Sequence, residues 1–143
     1  MSRKQTIKMT VDALMSIALL LLMAYELIGQ TTHEVIGTAM FLLFILHHAL
    51  NQSWGWNILK GRYTPYRAVQ TLLVGLILAG MLSQSVSGVL LSRHLYTFLS
   101  VQGHAHLART LHMLGAYWNL VLMSLHLGLL LRKISRPRKG EQK

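Results

Sequence analysis

Residues 33–50 read HEVIGTAMFLLFILHHAL, and residues 112–126 read HMLGAYWNLVLMSLH. Each stretch opens on a histidine and carries another 14 positions later: His33 and His47 in the first, His112 and His126 in the second. Positions 35–46 and 113–125 contain no charged residue. Runs of this polarity read as helices crossing lipid. About 20 residues at a rise of 1.5 Å span a hydrocarbon core of about 30 Å, and a helix leaves none of its backbone groups unpaired there. The alternating polarity of membrane barrel strands is absent.

Two further apolar runs, 13–28 and 68–91, bring the number of expected spans to four. The expected architecture is an all-α integral membrane four-helix bundle in up-down-up-down order. It forms one domain over residues 1–143, with helices at about 11–30, 33–52, 66–91 and 106–132. The first link is short, with Gly29, Gln30, Thr31 and Thr32 as its turn. The second, 51–67, mixes Trp54, Trp56, Tyr63 and Tyr66 with Lys60, Arg62 and Arg67, as expected of a membrane interface. Pro65 predicts a helix start near Tyr66.

The chain has 143 residues, 52% hydrophobic and only 13% charged, against about 25% charged in soluble domains. A net charge of +10 raises the question of nucleic-acid binding, which the positions of the charges exclude. Three of the 14 Lys and Arg precede the first run, three lie in the second link and six follow the fourth run. Only Arg93 and Arg109 fall on the opposite side. Twelve against two predicts that both termini and the second link face the cytoplasm, with the protein in the cytoplasmic membrane. A basic start followed by an apolar run also resembles a signal peptide, but Tyr25 and Glu26 stand where small cleavage-site residues would be needed, so an uncleaved first span is expected. The absence of cysteine excludes disulfides, Cys-ligated iron–sulfur clusters and covalent c-type haem.

Fourteen residues at 100° return to within about 40° of the starting face and cover about 21 Å of helix axis. In the expected topology the second and fourth helices run parallel. His33 is then level with His112, and His47 with His126. Two layers of facing imidazoles are what bis-histidine ligation of two non-covalent b haems requires, with these four residues as axial iron ligands. Gly37 and Gly115 are expected to leave room for a ring edge, and Arg93 and Arg109 to pair with propionates of the nearer haem. The alternatives are histidines hydrogen-bonded between helices, or zinc, for which each pair lacks further ligands.

His48 competes with His47, since a spacing of 15 from His33 is offset by about 60°. His47 is preferred because it repeats the 14 of the other helix. His94, His104 and His106 lie in or beside the third link, and His104-x-His106 is a weak metal motif on its own. Glu26, Glu34 and Asp12 read as interfacial carboxylates, Glu26 with a conceivable proton role. Gly75, Ala79, Ser83 and Ser87, with Gly80, Gln84 and Gly88 alongside, read as packing seams between helices.

Several short motifs join these features: His33-Glu34; 47–51 HHALN with Trp56, Lys60-Gly61 and Tyr63; Ser87-Gly88 with 91–93 LSR; Ala108-Arg109 with Leu111-His112; 116–118 AYW; and 122–128 LMSLHLG. On these the chain resembles the flavinylation-associated cytochromes, small four-helix membrane proteins, over nearly its whole length. The resemblance implies a di-haem b-type cytochrome with His33, His47, His112 and His126 as ligands. It also implies electron transfer between a quinol or cytoplasmic donor and an extracytosolic flavin-bearing partner. The chain contains no flavin-attachment domain of its own. The competing readings are a quinol-oxidising or transmembrane reductase enzyme in its own right, and a haem-free structural subunit. A transporter is disfavoured by the lack of a broken helix pair or an inverted repeat.

Overall fold

The computed structural model describes residues 2–58, 60, 62–99 and 105–135, with side chains as far as Arg132. Gly61, His104 and the basic tail from Arg136 onward lie outside the described residues. All regular structure among those described is helical: α1 (Arg3–Met23), α2 (Tyr25–Leu50), α3 (Gln52–Trp56), α4 (Pro65–Leu91), a 3₁₀ turn (Thr97–Leu99) and α5 (Ala105–Ser135). Four of these, α1, α2, α4 and α5, are long and apolar enough to cross a membrane.

The first helix begins earlier than expected, at Arg3 rather than near residue 11, because Ser2 and Gln5 form a capping box. The Ser2 hydroxyl accepts from the Gln5 amide at 3.3 Å, and the Gln5 side chain accepts from the Ser2 amide at 3.0 Å. Arg3, Lys4 and Lys8 therefore stand on the first turns of α1 and not in front of it. The helix also ends earlier, at Met23; of the expected turn residues Gly29 leaves the helical path, whereas Gln30, Thr31 and Thr32 are already helical. Gly29 has φ 73° and ψ 168°, a conformation open to glycine because it has no Cβ. It separates a single turn, 25–28, from the long body of α2. The start of α4 agrees with expectation: Thr64 accepts from the Arg67 amide at 3.3 Å, and Pro65 opens the helix.

Val11, Met15 and Ala18 of α1, Met40 and Phe44 of α2, and Leu73, Ile77 and Met81 of α4 form the buried core. Leu122, Met123 and Leu129 of α5 pack against it from one side. Lipid tails are as apolar as these side chains, so close fit rather than water exclusion must hold helices together in a bilayer. The unbranched methionines suit that task by filling irregular gaps. Outward faces stay apolar, with Leu20 65% exposed, Leu42 62%, Leu72 64% and Val86 62%.

The first turns of α1 meet the last turn of α2, where Lys8 Nζ donates to Asn51 Oδ1 at 2.8 Å. Between α4 and α5 the register is regular: Gly80 faces Asn119, Gln84 faces Gly115 and Ser87 faces His112. A Cβ added at Gly80 would collide with the Asn119 side chain, and one at Gly115 would stand 2.7 Å from Gln84 Oε1. The expected packing seam on α4 is therefore present from Gly80 to Gly88, whereas Gly75 has no neighbour within 4 Å of an added Cβ. Contact is extensive within α1–α2 and α4–α5, and α2 meets α4 over a shorter stretch.

Gly80→Val should loosen the α4–α5 pair, because Asn119 is only 3% exposed and has little room to yield. The expected loss is about 1–3 kcal/mol, measured by thermal unfolding in detergent. Unchanged stability would show that the seam is not tightly packed.

Candidate functional site

Two clusters of polar side chains interrupt the apolar interior, one at each end of the long helices. At the first, His33 of α2 and His112 of α5 face each other with ring centroids 6.1 Å apart and planes at 70°. The edge of Tyr25 closes on His33 at 5.1 Å. His112 is held from α4: its Nδ1 lies 3.1 Å from Ser87 Oγ, and Gly88 brings the α4 backbone against the ring, with His112 Cε1 3.3 Å from where a Cβ would stand.

The tautomer of His112 follows from donor accounting. The Ser87 hydroxyl has one proton, which it gives to the Ser83 carbonyl at 2.7 Å, with the Gln84 carbonyl at 3.2 Å. It must therefore accept from His112, whose Nδ1 carries the proton and whose Nε2 is left as a free lone pair.

Glu34, next to His33, fixes the end of α4. Its carboxylate accepts from the Ser92 hydroxyl at 2.7 Å and from the backbone amides of Arg93, His94 and Leu95 at 3.0, 3.1 and 3.0 Å. One side chain thus satisfies three backbone donors of the segment that follows the helix, and the Ser92 hydroxyl with them. Thr38 spends its own proton on the Glu34 carbonyl, so the Tyr96 hydroxyl donates to Thr38 Oγ1 at 3.0 Å. These bonds tie α2 to the α4–α5 connection on the level of His33 and His112.

In the second cluster His47 of α2 bonds through Nδ1 to Asp12 Oδ1 of α1 at 2.8 Å. A carboxylate only accepts, so this imidazole also carries its proton on Nδ1 and presents Nε2. His126 of α5 lies within electrostatic reach of both His47 and Asp12. His48 is turned elsewhere. It is exposed, its Nδ1 bonds to the Phe44 carbonyl at 3.0 Å and its ring lies 4.3 Å from the Phe44 ring.

The structure thus brings His33 to His112 and puts His126 near His47. Two imidazoles bound on opposite sides of one metal, with bonds of about 2 Å and ring radii of about 1.1 Å, have centroids about 6.3 Å apart. The 6.1 Å between His33 and His112 fits that arrangement, as it also fits a plain edge contact. With the proton on Nδ1, a neutral His112 or His47 ring leaves Nε2 for a metal, as axial ligation requires. His33 and His126 each keep a buried Nδ1 with no hydrogen-bond partner, an arrangement that is costly in an apolar interior. Among the described residues no three His, Asp or Glu side chains converge, so a tetrahedral zinc set is not provided.

Other expected participants stand apart. The side chains of Arg93 and Arg109 are exposed, with no ion pair among the described residues, and His94, His106 and Glu26 are also exposed. Gly37 and Gly115 do not open toward the histidines: Gly37 faces Leu22 of α1 and Gly115 faces Gln84 of α4, so both serve packing. Sequence reasoning placed Ser87 only in a packing seam and missed the Glu34 clamp. No protein family, curated protein or solved structure matches the chain.

Glu34→Ala should release the segment from Ser92 to Tyr96. Hydrogen exchange at Arg93, His94 and Leu95 is expected to speed up at least tenfold, with a stability loss of about 2 kcal/mol. Exchange as slow as in the unaltered protein would show that the clamp does not hold the segment.

Proposed function

We propose that this protein is a di-haem b-type cytochrome that carries electrons across the cytoplasmic membrane. The observation that carries the reading is the His33–His112 pair, two imidazoles from different helices with centroids 6.1 Å apart, with a further histidine 14 residues along each helix, His47 and His126. Chance buried histidines predict neither the facing pair nor the equal spacing.

The four spans are assigned an up-down-up-down order with both termini in the cytoplasm. Contacts between opposite ends of neighbouring helices support the order, in Lys8 with Asn51, Glu34 with Ser92 and Ser87 with His112. The basic residues of the N-terminus, second link and tail support the orientation. His33 and His112 then form the outer layer, and His47 and His126 the inner one.

Haem, when bound, supplies reversible one-electron chemistry that no side chain of the chain can offer. The chain's own groups hold and orient. Ser87 and Gly88 fix the His112 ring, and Asp12 fixes that of His47. Glu34 locks the outer layer to α4, and the apolar faces keep water from the span. In this reading the chain is the electron-transfer subunit of a larger system. The proposed donor is a quinol or a cytoplasmic reductant, and the acceptor an extracytosolic flavin-bearing protein, in keeping with the motif resemblance.

The test is the haem content of the detergent-purified chain, by difference spectrum and extraction. Two non-covalent b haems per chain are expected, falling to one in His33→Ala or in His126→Ala and staying at two in His48→Ala. A chain expressed with ample haem and purified without any would overturn the proposal.

A further inference from the structure

The two histidine layers differ in what their imidazoles lean on, and the difference has a sign. On the proposed orientation, the Nδ1–H of His47 in the inner layer donates to a carboxylate, Asp12, at 2.8 Å. In the outer layer the Nδ1–H of His112 donates at 3.1 Å to a neutral hydroxyl, Ser87, whose own proton is already engaged. His33 and His126 have no Nδ1 partner among the described residues. The layers therefore differ in the charge hydrogen-bonded to a ligand ring: Glu34, the carboxylate beside His33 in the outer layer, is bonded to the Ser92 hydroxyl and the amides of Arg93, His94 and Leu95 and to no imidazole.

No Lys or Arg is bonded to the Asp12 carboxylate among the described residues, and its one ion-pair partner is His47 itself. Lys8, one turn earlier on α1, is taken up by Asn51. Asp12 and His47 are 34% and 28% exposed at the side chain, enough shielding from water for the carboxylate to act on the ring rather than be lost to solvent.

An anionic acceptor on Nδ1–H gives the imidazole partial imidazolate character and makes it a stronger donor to a metal at Nε2. A stronger donor and an added negative charge both favour the oxidised over the reduced metal. Ligand identity, hydrogen bonding and local charge are the levers by which a protein sets such potentials. A neutral hydroxyl with its lone pair shared exerts the same effect far more weakly.

We infer that Asp12 is a positioning residue that lowers the reduction potential of the inner centre below that of the outer one, so that electrons run downhill from the cytoplasmic to the extracytosolic face. The inference rests on the di-haem reading. In the step it describes, one electron leaves the inner centre, which is oxidised, and arrives at the outer centre, which is reduced. No atom or proton is transferred between them. Direction is thereby built into the chain and does not depend on its partners alone.

The test is an equilibrium redox titration of the purified, haem-loaded chain followed optically. Two midpoints are expected. Asp12→Asn keeps the shape and the hydrogen-bonding reach but removes the charge. It should raise the lower midpoint by at least tenfold in the oxidised-to-reduced ratio, about 59 mV for one electron, with haem content and the upper midpoint unchanged. Asp12→Glu should restore most of the difference. A second variant, His33→Ala, removes an outer ligand while leaving Asp12 and His47 intact, and the component it retains should be the one of lower potential. The inference is overturned if Asp12→Asn moves the upper midpoint or neither, or if His33→Ala retains the high-potential component. Absence of haem from the unaltered chain would instead overturn the di-haem reading, and this inference with it.

Discussion

A helix end inside or beside a bilayer leaves backbone groups that water cannot fully serve, and their partners decide where neighbouring helices sit. Just past the end of α4 the Ser92 hydroxyl and the three successive amides of Arg93, His94 and Leu95 find their partner in the two oxygens of Glu34. Packing within α1–α2 and within α4–α5 is extensive, but the two pairs meet over a short stretch of α2 and α4. Their alignment therefore depends on the Glu34 cluster together with the core contacts of Met40 and Phe44 with Leu73, Ile77 and Met81. Because Glu34 follows His33 in the chain, the same bonds that register the pairs also set His33 opposite His112.

Each histidine layer draws its rings from α2 and α5, but the groups that orient them come from the other two long helices. Ser87 and Gly88 belong to α4, and Asp12 belongs to α1. Each helix pair thus contains one histidine-bearing helix and one supporting helix. The close approach of α4 to α5 at Gly80, Gly88 and Gly115 has a direct consequence for the site, since it brings Ser87 within bonding distance of His112.

Span number, helix type and the level of the histidines were legible in the sequence because each depends on local periodicity or composition. Apolar length marked α1, α2, α4 and α5, and Pro65 marked the start of α4 to within a residue. The first helix was misjudged at both ends. Charge at Arg3, Lys4 and Lys8 reads as loop, while a capping box at Ser2 and Gln5 makes it helix. Of the two adjacent histidines, His47 turns to Asp12 and His48 to the Phe44 carbonyl of its own helix. The supporting contacts were harder to read. Asp12 and His47 are 35 residues apart, Ser87 and His112 25, and Glu34 and Ser92 58. Only the register of the paired helices brings them together. For Asp12 a signal existed: a fold-back centred on Gly29 places it opposite His47. For Glu34, bonding mostly to backbone amides, side-chain identity gave no signal at all.

The break at Gly29 lies before His33, so His33 and His47 stand on one uninterrupted helical segment of α2, as His112 and His126 do on α5. Their axial separation, about 21 Å, is consequently set by hydrogen-bonded backbone and not by how side chains pack. Two such segments side by side act as a pair of matched rulers. A gauge of this kind keeps the spacing of the two histidine levels independent of the lipid-thickness changes and helix tilting that a bilayer imposes. Sliding of one helix pair against the other would shift both histidine levels equally, moving His33 off His112 before it altered the gap between the levels.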